Sequence, residues 1–273
     1  MTTFSTLADA QTPLLPNPSV TQSISQSLGL ATVTVSYSRP HMKNRRIFGS
    51  LVPYGTIWRT GANSSTKLTF TEEVNLEGNV IPAGSYSLFT IPGECEWIII
   101  ISKDVGHWGA YSYNEKNDFV RFTTIPLCCL YAQEALTFIF TNSTTNSTEL
   151  HLIWDRLGIR LSLSVDHDAR TIALIEELMK DEHPNNLVYF NAIQYYYNNN
   201  KDLFTALNWI KRAKNDIPEN PAYHLFESRF LLRKGDNVGA IAAAEAGVRL
   251  AKKLHFHEYI KLNMEAVNLA TSQ

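Results

Sequence analysis

Trp58 and Arg59 stand side by side, with Gly61 and Asn63 close behind. A guanidinium supplies a planar fork of donors, and an indole supplies an aromatic wall. A carboxamide donates and accepts at once, and glycine admits close backbone approach. That combination suits a carboxylate, a phosphate or a polar ring. Arg39 and Lys43 add two cations upstream. The competing reading is structural: an arginine can tie loops together through carbonyls, and a tryptophan can fill core. A second cluster runs from Gly106 to Tyr113, GHWGAYSY. Glycine on both sides of an aromatic pair reads as a binding loop or a lid. His107, an imidazole beside aromatic walls, is the candidate general acid/base, with Tyr111 the alternative in that role. The candidate ligand-binding set is Arg39, Lys43, Trp58, Arg59, Asn63, Trp108 and Tyr113. Asp118 and Arg121 are spaced to form a structural ion pair across a turn.

Other chemistries lack their residues. Cys128 and Cys129 are adjacent, which excludes a CxxC metal or redox site, and their apolar neighbours predict buried, inert thiols. With Cys95 the chain has three cysteines, too few for a disulfide framework. His41 stands alone, and His255 and His257 lack further ligand spacing. There is no HExxH, no phosphate-loop glycine pattern and no GxSxG elbow. Zinc hydrolase, nucleotide hydrolase and α/β-hydrolase readings are therefore poor, and no metal or cofactor is implied.

The 273 residues carry 24 Lys and Arg against 26 Asp and Glu, too balanced to argue for nucleic acid or an anionic membrane surface. No stretch approaches the roughly 18 uncharged apolar residues of a membrane-spanning helix. An apolar content of 44% suffices for a core and excludes wholesale disorder. The charge is unevenly placed. From Ala10 to Thr71 there is no Asp or Glu, while Arg39, Lys43, Arg45, Arg46, Arg59 and Lys67 all fall there. Such a local basic field favours an anionic partner, unless acids from later strands pair with it.

The stretch from Tyr37 to Phe70 closely resembles the family catalogued as domain of unknown function 2911. The matching words are Tyr37-Ser38-Arg39-Pro40, Lys43, Arg45, Ile47-Phe48-Gly49, Leu51-Val52-Pro53, Gly55 and Trp58-Arg59-Thr60-Gly61-Ala62-Asn63. Pro82-Ala83-Gly84 with Tyr86, Trp108-Gly109 with Tyr111 and Tyr113, and Trp154 also fit. The resemblance implies an exported β-rich protein with a helical repeat tail, and it supplies no activity. Two positions depart from the family pattern. Asn44 stands where the family has glycine, and Ser64 stands where it has glutamate.

These residues need elements to position them. Residues 1–20 are rich in proline and turn formers and read as an extended arm. Ala8-Asp9-Ala10 is similar to a leader cleavage site, but the charged and apolar regions of a leader are missing, so the chain as written reads as cytoplasmic. Residues 21–165 read as an antiparallel β domain. Alternation marks strands at Ala31–Ser38, Glu134–Thr141, Thr148–Asp155 and Gly158–Val165. The polar run TNSTTNST reads as a hairpin loop, and WIIII from Trp97 reads as a strand covered on both faces. Residues 166–182 read as a connecting helix, with Ile172, Ile175, Leu178 and Met179 at helical spacing behind an N-cap at Asp168. Over residues 183–273 small residues recur with a period of 34, Ala206, Ile210 and Ala213 aligning with Ala240, Ala244 and Gly247. This segment resembles the tetratricopeptide repeat, which implies helical hairpins and a possible protein partner.

The fold class is therefore α+β and multidomain: an antiparallel β-sandwich or barrel followed by a helical-hairpin repeat domain. Two functions fit the residues. One is binding of a small anionic or amphipathic organic molecule by the β domain. The other is a cofactor-independent enzyme of cyclase, isomerase or hydratase type using the same pocket.

Overall fold

A computed structural model describes residues 16–272. Most of the expected N-terminal arm, residues 1–15, lies outside the described residues. Two units divide the chain at Asp168/Ala169.

The first unit holds two antiparallel sheets. The six-stranded sheet runs in the order β1 (Val20–Leu28), β2 (Ala31–Arg39), β3 (Thr66–Phe70), β6 (Gly84–Ile91), β7 (Trp97–Ser102) and β8 (Asp118–Thr124). The four-stranded sheet runs β5 (Asn79–Ile81), β4 (Val74–Leu76), β10 (Ser147–Ser164) and β9 (Leu127–Thr141). Both sheets are open, so the barrel alternative is dropped. Their apolar faces supply one core, with Val33, Val35, Leu68, Ile99 and Ile101 from the first sheet and Leu136, Phe138, Leu150, Leu152 and Trp154 from the second. Tyr37 links the sheets: its ring meets Phe138 edge-on at 4.7 Å, and its hydroxyl accepts from the Phe138 N–H at 3.1 Å.

The two strands expected over Thr148–Asp155 and Gly158–Val165 are one strand, β10, with an irregularity at Asp155. Asp155 sits at φ 54° and shifts the pairing register. The inserted residue changes the phase of alternation. Leu150, Leu152 and Trp154 are buried before it, and Ile159, Leu161 and Leu163 after it. Even positions give way to odd ones, so both halves face the same core. The TNSTTNST run does form the β9–β10 hairpin loop. β7 is covered on both faces: Ile99 and Ile101 face the core, and Ile100 is buried opposite Phe89 of β6. The loop after β7 returns over that outer face and sets Tyr113 against Phe89 at 5.1 Å.

The expected burial of the adjacent thiols fails. Cys128 is exposed and Cys129 is only partly covered. The first half of β9 runs along the irregular half of β10 and leaves Leu130 and Tyr131 in solvent, so apolar neighbours in sequence do not bury the thiols there.

The second unit contains α1 (Asp168–Leu178), α2 (Asn186–Asn198), α3 (Leu203–Asp216), α4 (Pro221–Lys234), α5 (Asn237–Lys253) and α6 (His257–Thr271). α1 begins at Asp168, which is its first residue and not the cap before it; Ile175 and Met179 are buried, whereas Leu178 of the expected stripe is exposed. The small residues read from the 34-residue period are buried where helices meet: Ala206, Ala213, Ala240 and Ala244. The caps repeat at the same spacing. Asp202 accepts from Thr205 N–H at 2.7 Å, and Asp236 accepts from Gly239 N–H at 2.8 Å. Gly247 of α5 has no room for a side chain: a Cβ there would lie 2.1 Å from Oδ1 of the fully buried Asn263 on α6. Gly247→Ala is expected to destabilise the helical unit by about 1–3 kcal/mol through overpacking, read as a lower urea midpoint of the helical circular dichroism signal. None of the described helices is long and apolar enough to cross a membrane.

Tyr189 and Tyr223 also stand one period apart. Their rings meet edge-on at 6.3 Å, Tyr189 donates to Asp216 at 2.6 Å, and Tyr223 donates to Asn186 Oδ1 at 2.7 Å. Burial pushes both phenols up to about 12, with the Asp216 hydrogen bond adding to the shift at Tyr189. A phenol free in the unfolded chain ionises near ~10. The folded state therefore holds these two protons more tightly. Their stabilisation is complete below pH ~10 and is lost as the pH rises toward about 12. Absorbance at the tyrosinate band should show two phenols ionising only as the helical signal collapses in that window.

Candidate functional site

The segment between β2 and β3, residues 40–65, crosses one end of the sheets and carries most of the candidate residues. Turns build it. Gly49 N–H donates to the Val52 carbonyl at 2.9 Å, and Val52 N–H donates back to Ile47 at 2.9 Å. Lys43 and Asn44 take left-handed φ values of 50° and 59°. The resemblance implies glycine at position 44, and asparagine is among the few other residues that tolerate this region. Trp58 then adds a short bridge to Thr90 of β6, its N–H donating at 2.8 Å and its carbonyl accepting at 2.9 Å.

That bridge drives the Trp58 ring into the core. It stacks on Trp154 at 6.0 Å with an interplanar angle of 20°, and Phe48 and Trp97 close the cluster, 4.9 Å apart. Trp58 Nε1 donates to the Gly61 carbonyl at 3.1 Å. The next residue faces the other way. Arg59, half-buried, lines a cleft of about 270 Å³ together with Arg45, Trp58, Trp154, Pro40 and Leu51. The Arg59 Nε is buried and has no hydrogen-bond partner among the described residues. Arg45 reaches the same cleft with its head held by main chain, Nε donating to Met42 O at 2.8 Å and Nη2 to His41 O at 2.7 Å. Among the described residues no carboxylate lines the cleft.

The alternative in which later acids neutralise this basic segment is not what forms. Among the described residues none of Arg39, Lys43, Arg45, Arg46, Arg59 and Lys67 has a carboxylate within 4.0 Å. Glu134 accepts from the Lys43 backbone N–H at 3.0 Å.

The remaining candidates separate. Arg39 ties β2 to β9, donating to Leu136 O at 3.1 Å and Thr137 Oγ1 at 3.0 Å, which is the structural role weighed for it. Lys43 is exposed. Asn63 and Trp108 line a second cleft, also about 270 Å³, with Ser36, Tyr37, Ser64 and Lys67. Asn63 donates to Ser19 O and to Ser38 Oγ, both at 3.1 Å, so its amide fixes the wall between the two clefts. Ser64 faces the second cleft, where the family pattern would place a carboxylate beside Lys67. Trp108 is 62% exposed and Tyr111 is 91% exposed, and Tyr111 lines neither cleft. Tyr113 is engaged elsewhere. Its hydroxyl donates to Asp118 at 2.7 Å and accepts from Arg121, whose Nε also donates to Asp118 at 2.5 Å. Burial, reinforced by Asp118, pushes the Tyr113 phenol up to about 12. The expected Asp118–Arg121 pair is thus present, and it anchors Tyr113 as part of the loop's foundation.

The site therefore keeps Trp58 and Arg59 from the expected set and adds Arg45 and Trp154. Arg45 was visible in the basic run, but only the turn at Lys43-Asn44 folds its side chain back toward Arg59. His107 stands apart from the cleft, in the loop after β7, with contacts on both ring nitrogens. No described group of His, Cys, Asp and Glu is arranged to hold a metal.

Two open antiparallel sheets with a basic, aromatic-walled cleft at one end, followed by a helical unit, define the class of protein. The chain belongs to the family described as protein of unknown function (DUF2911), whose model matches residues 19–163. A solution structure of a Bordetella parapertussis protein is similar over 37% of this chain and 87% of that one, at 19% identity and a TM-score of 0.33. No curated protein matches the chain.

Proposed function

We propose that the β unit binds a small anionic organic molecule in the Arg59 cleft. One observation carries this reading: among the described residues, a buried arginine Nε has no hydrogen-bond partner, in a cleft lined by a second arginine and no acid. A buried donor left unsatisfied costs about 1–3 kcal/mol. A carboxylate or phosphate would remove that cost and add charge-assisted hydrogen bonds. Trp58 and Trp154, buried in the core beneath the cleft they line, give it an apolar wall that suits an organic body attached to the anion. The volume of about 270 Å³ fits a molecule of one ring or a short chain, at the small end of ligand sites. The 34-residue recurrence of caps and small residues supports a tetratricopeptide-like reading of the helical unit.

Native mass spectrometry of protein taken from its own source tests the binding reading. An excess mass lost on denaturation, and absent from Arg59→Gln prepared in parallel, is the expected result. An excess mass retained in Arg59→Gln would move the ligand out of this cleft.

A further inference from the structure

We propose that Asp104, His107 and Ser112 form a nucleophilic relay that accepts acyl groups on Ser112. The inference is independent of the Arg59 cleft. It rests on the loop between β7 and β8. There Ser112 Oγ lies 2.6 Å from His107 Nδ1, and Asp104 Oδ2 lies 2.6 Å from His107 Nε2. Acid and hydroxyl thus flank one imidazole, one beside each ring nitrogen, the grouping from which a serine is activated. The usual ring orientation is reversed, since Nδ1 faces the nucleophile. The carboxylate sits close to Nε2 but makes no hydrogen bond to it, so the ring must reorient before Asp104 aligns it.

The surroundings hold the three groups in place. Asn117 Nδ2 donates to Asp104 Oδ2 at 2.9 Å, which fixes the carboxylate. The His107 carbonyl accepts from Ser65 N–H at 2.9 Å, and Gly109 N–H donates to Asn63 O at 2.8 Å, pinning the loop to the segment before β3. Lys103 N–H donates to Asn117 O at 2.9 Å and closes the loop's base. The imidazole is largely covered, with 21% of its side chain exposed, whereas Ser112 is open to solvent. A sheltered base beside an accessible hydroxyl is what an attacking serine requires.

The chemistry balances without a cofactor. The neutral ring carries its proton on Nε2, toward Asp104, and takes the Ser112 hydroxyl proton on Nδ1. Ser112 Oγ bonds to the carbonyl carbon of an ester. The ester C–O bond then breaks, and the departing alkoxide or phenoxide leaves with the proton from Nδ1. Water attacks the acyl-serine, gives its proton to Nδ1, and the released Ser112 oxygen recovers it. Asp104 offsets the charge of the imidazolium in both halves.

A fluorophosphate needs only an activated hydroxyl: the phosphorus–oxygen bond forms as fluoride leaves, and His107 takes the hydroxyl proton. The full chain is therefore incubated with diisopropyl fluorophosphate, and the adduct is located by intact mass and peptide mapping. One adduct on Ser112 is expected, absent in Ser112→Ala and formed at least tenfold more slowly in His107→Gln, with Asp104→Asn slowed as well. Ser112→Ala and His107→Gln should keep the wild-type Tm, which separates lost reactivity from lost folding. p-Nitrophenyl acetate should show a burst of one nitrophenolate per chain in the wild type and none in Ser112→Ala. No adduct, an adduct on another residue, or labelling of Ser112 at the same rate in His107→Gln would overturn the proposal.

Discussion

Trp154→Ala lowers the stability of the β unit by about 3–5 kcal/mol, the range for removing a fully buried large aromatic. Trp154 is 1% exposed and stacks on Trp58. Its Nε1 donates to the Glu134 carbonyl at 3.3 Å, joining β10 to β9. Phe48 meets it edge-on at 6.4 Å. Truncation therefore removes one member of a four-ring cluster and one of two donors to the Glu134 carbonyl, which keeps the Met42 N–H at 2.8 Å. It also removes one wall of the Arg59 cleft. Trp209 is the indole of the helical unit, so a Trp209→Phe background confines the fluorescence signal to the β unit. Urea unfolding in that background should show the midpoint falling sharply. A loss below ~1 kcal/mol would mean that the aromatic cluster is not the keystone of the two-sheet core.

Arg59→Gln behaves in the opposite way: the fold persists and the ligand is lost. The Arg59 Nε has no hydrogen-bond partner among the described residues to forfeit, so the substitution leaves the urea midpoint unchanged or raises it. Binding of an anion loses a charge-assisted hydrogen bond worth about 1.5–3 kcal/mol, equivalent to roughly 10–100-fold in Kd. Benzoate serves as the probe, because it pairs a carboxylate with one ring. Isothermal titration of wild type and Arg59→Gln should show that ratio. Arg39→Gln provides the contrast. Arg39 bonds to Leu136 O and Thr137 Oγ1, so its loss should lower stability while leaving benzoate affinity within about twofold.

Much of this fold is legible in the sequence because burial imposes period on it. The alternation through Leu150, Leu152 and Trp154, resumed at Ile159, Leu161 and Leu163, already contains the one-residue change of phase. A break in strand and an irregularity within one strand leave the same trace, so the single long β10 had to be seen in three dimensions. β1 leaves almost no trace. It pairs with β2 along its whole length, yet Ile24 and Leu28 are its main apolar contributions to the core. An edge strand held by backbone and by serine–serine and serine–threonine bonds, as at Ser23–Ser36 and Ser25–Thr34, needs no hydrophobic stripe.

The site was legible in part for a related reason. Residue types announce which side chains can bind anions, but only the backbone decides which ones converge. Arg39 and Arg59 look alike in sequence. One follows a strand to a carbonyl and a hydroxyl of the neighbouring β9, and the other follows a core tryptophan, so its head emerges beside the hydrophobic wall that its neighbour forms. Tyr113 announced itself as an aromatic wall and is consumed by Asp118 and Arg121. Ser112 gave no signal at all. A lone serine between two tyrosines acquires meaning only when the turns through Gly106 and Gly109 bring it to His107.

The most direct measurement is a nitrogen-15 correlation spectrum of the arginine Nε–H groups, recorded while benzoate is added to the wild-type chain. Arg59 is assigned by the cross-peak missing in Arg59→Lys. The account predicts that the Arg59 Nε–H shifts and exchanges more slowly with solvent as benzoate binds, and that benzyl alcohol, the uncharged analogue, has no such effect. An Arg59 resonance indifferent to benzoate, or one moved equally by benzyl alcohol, would contradict it.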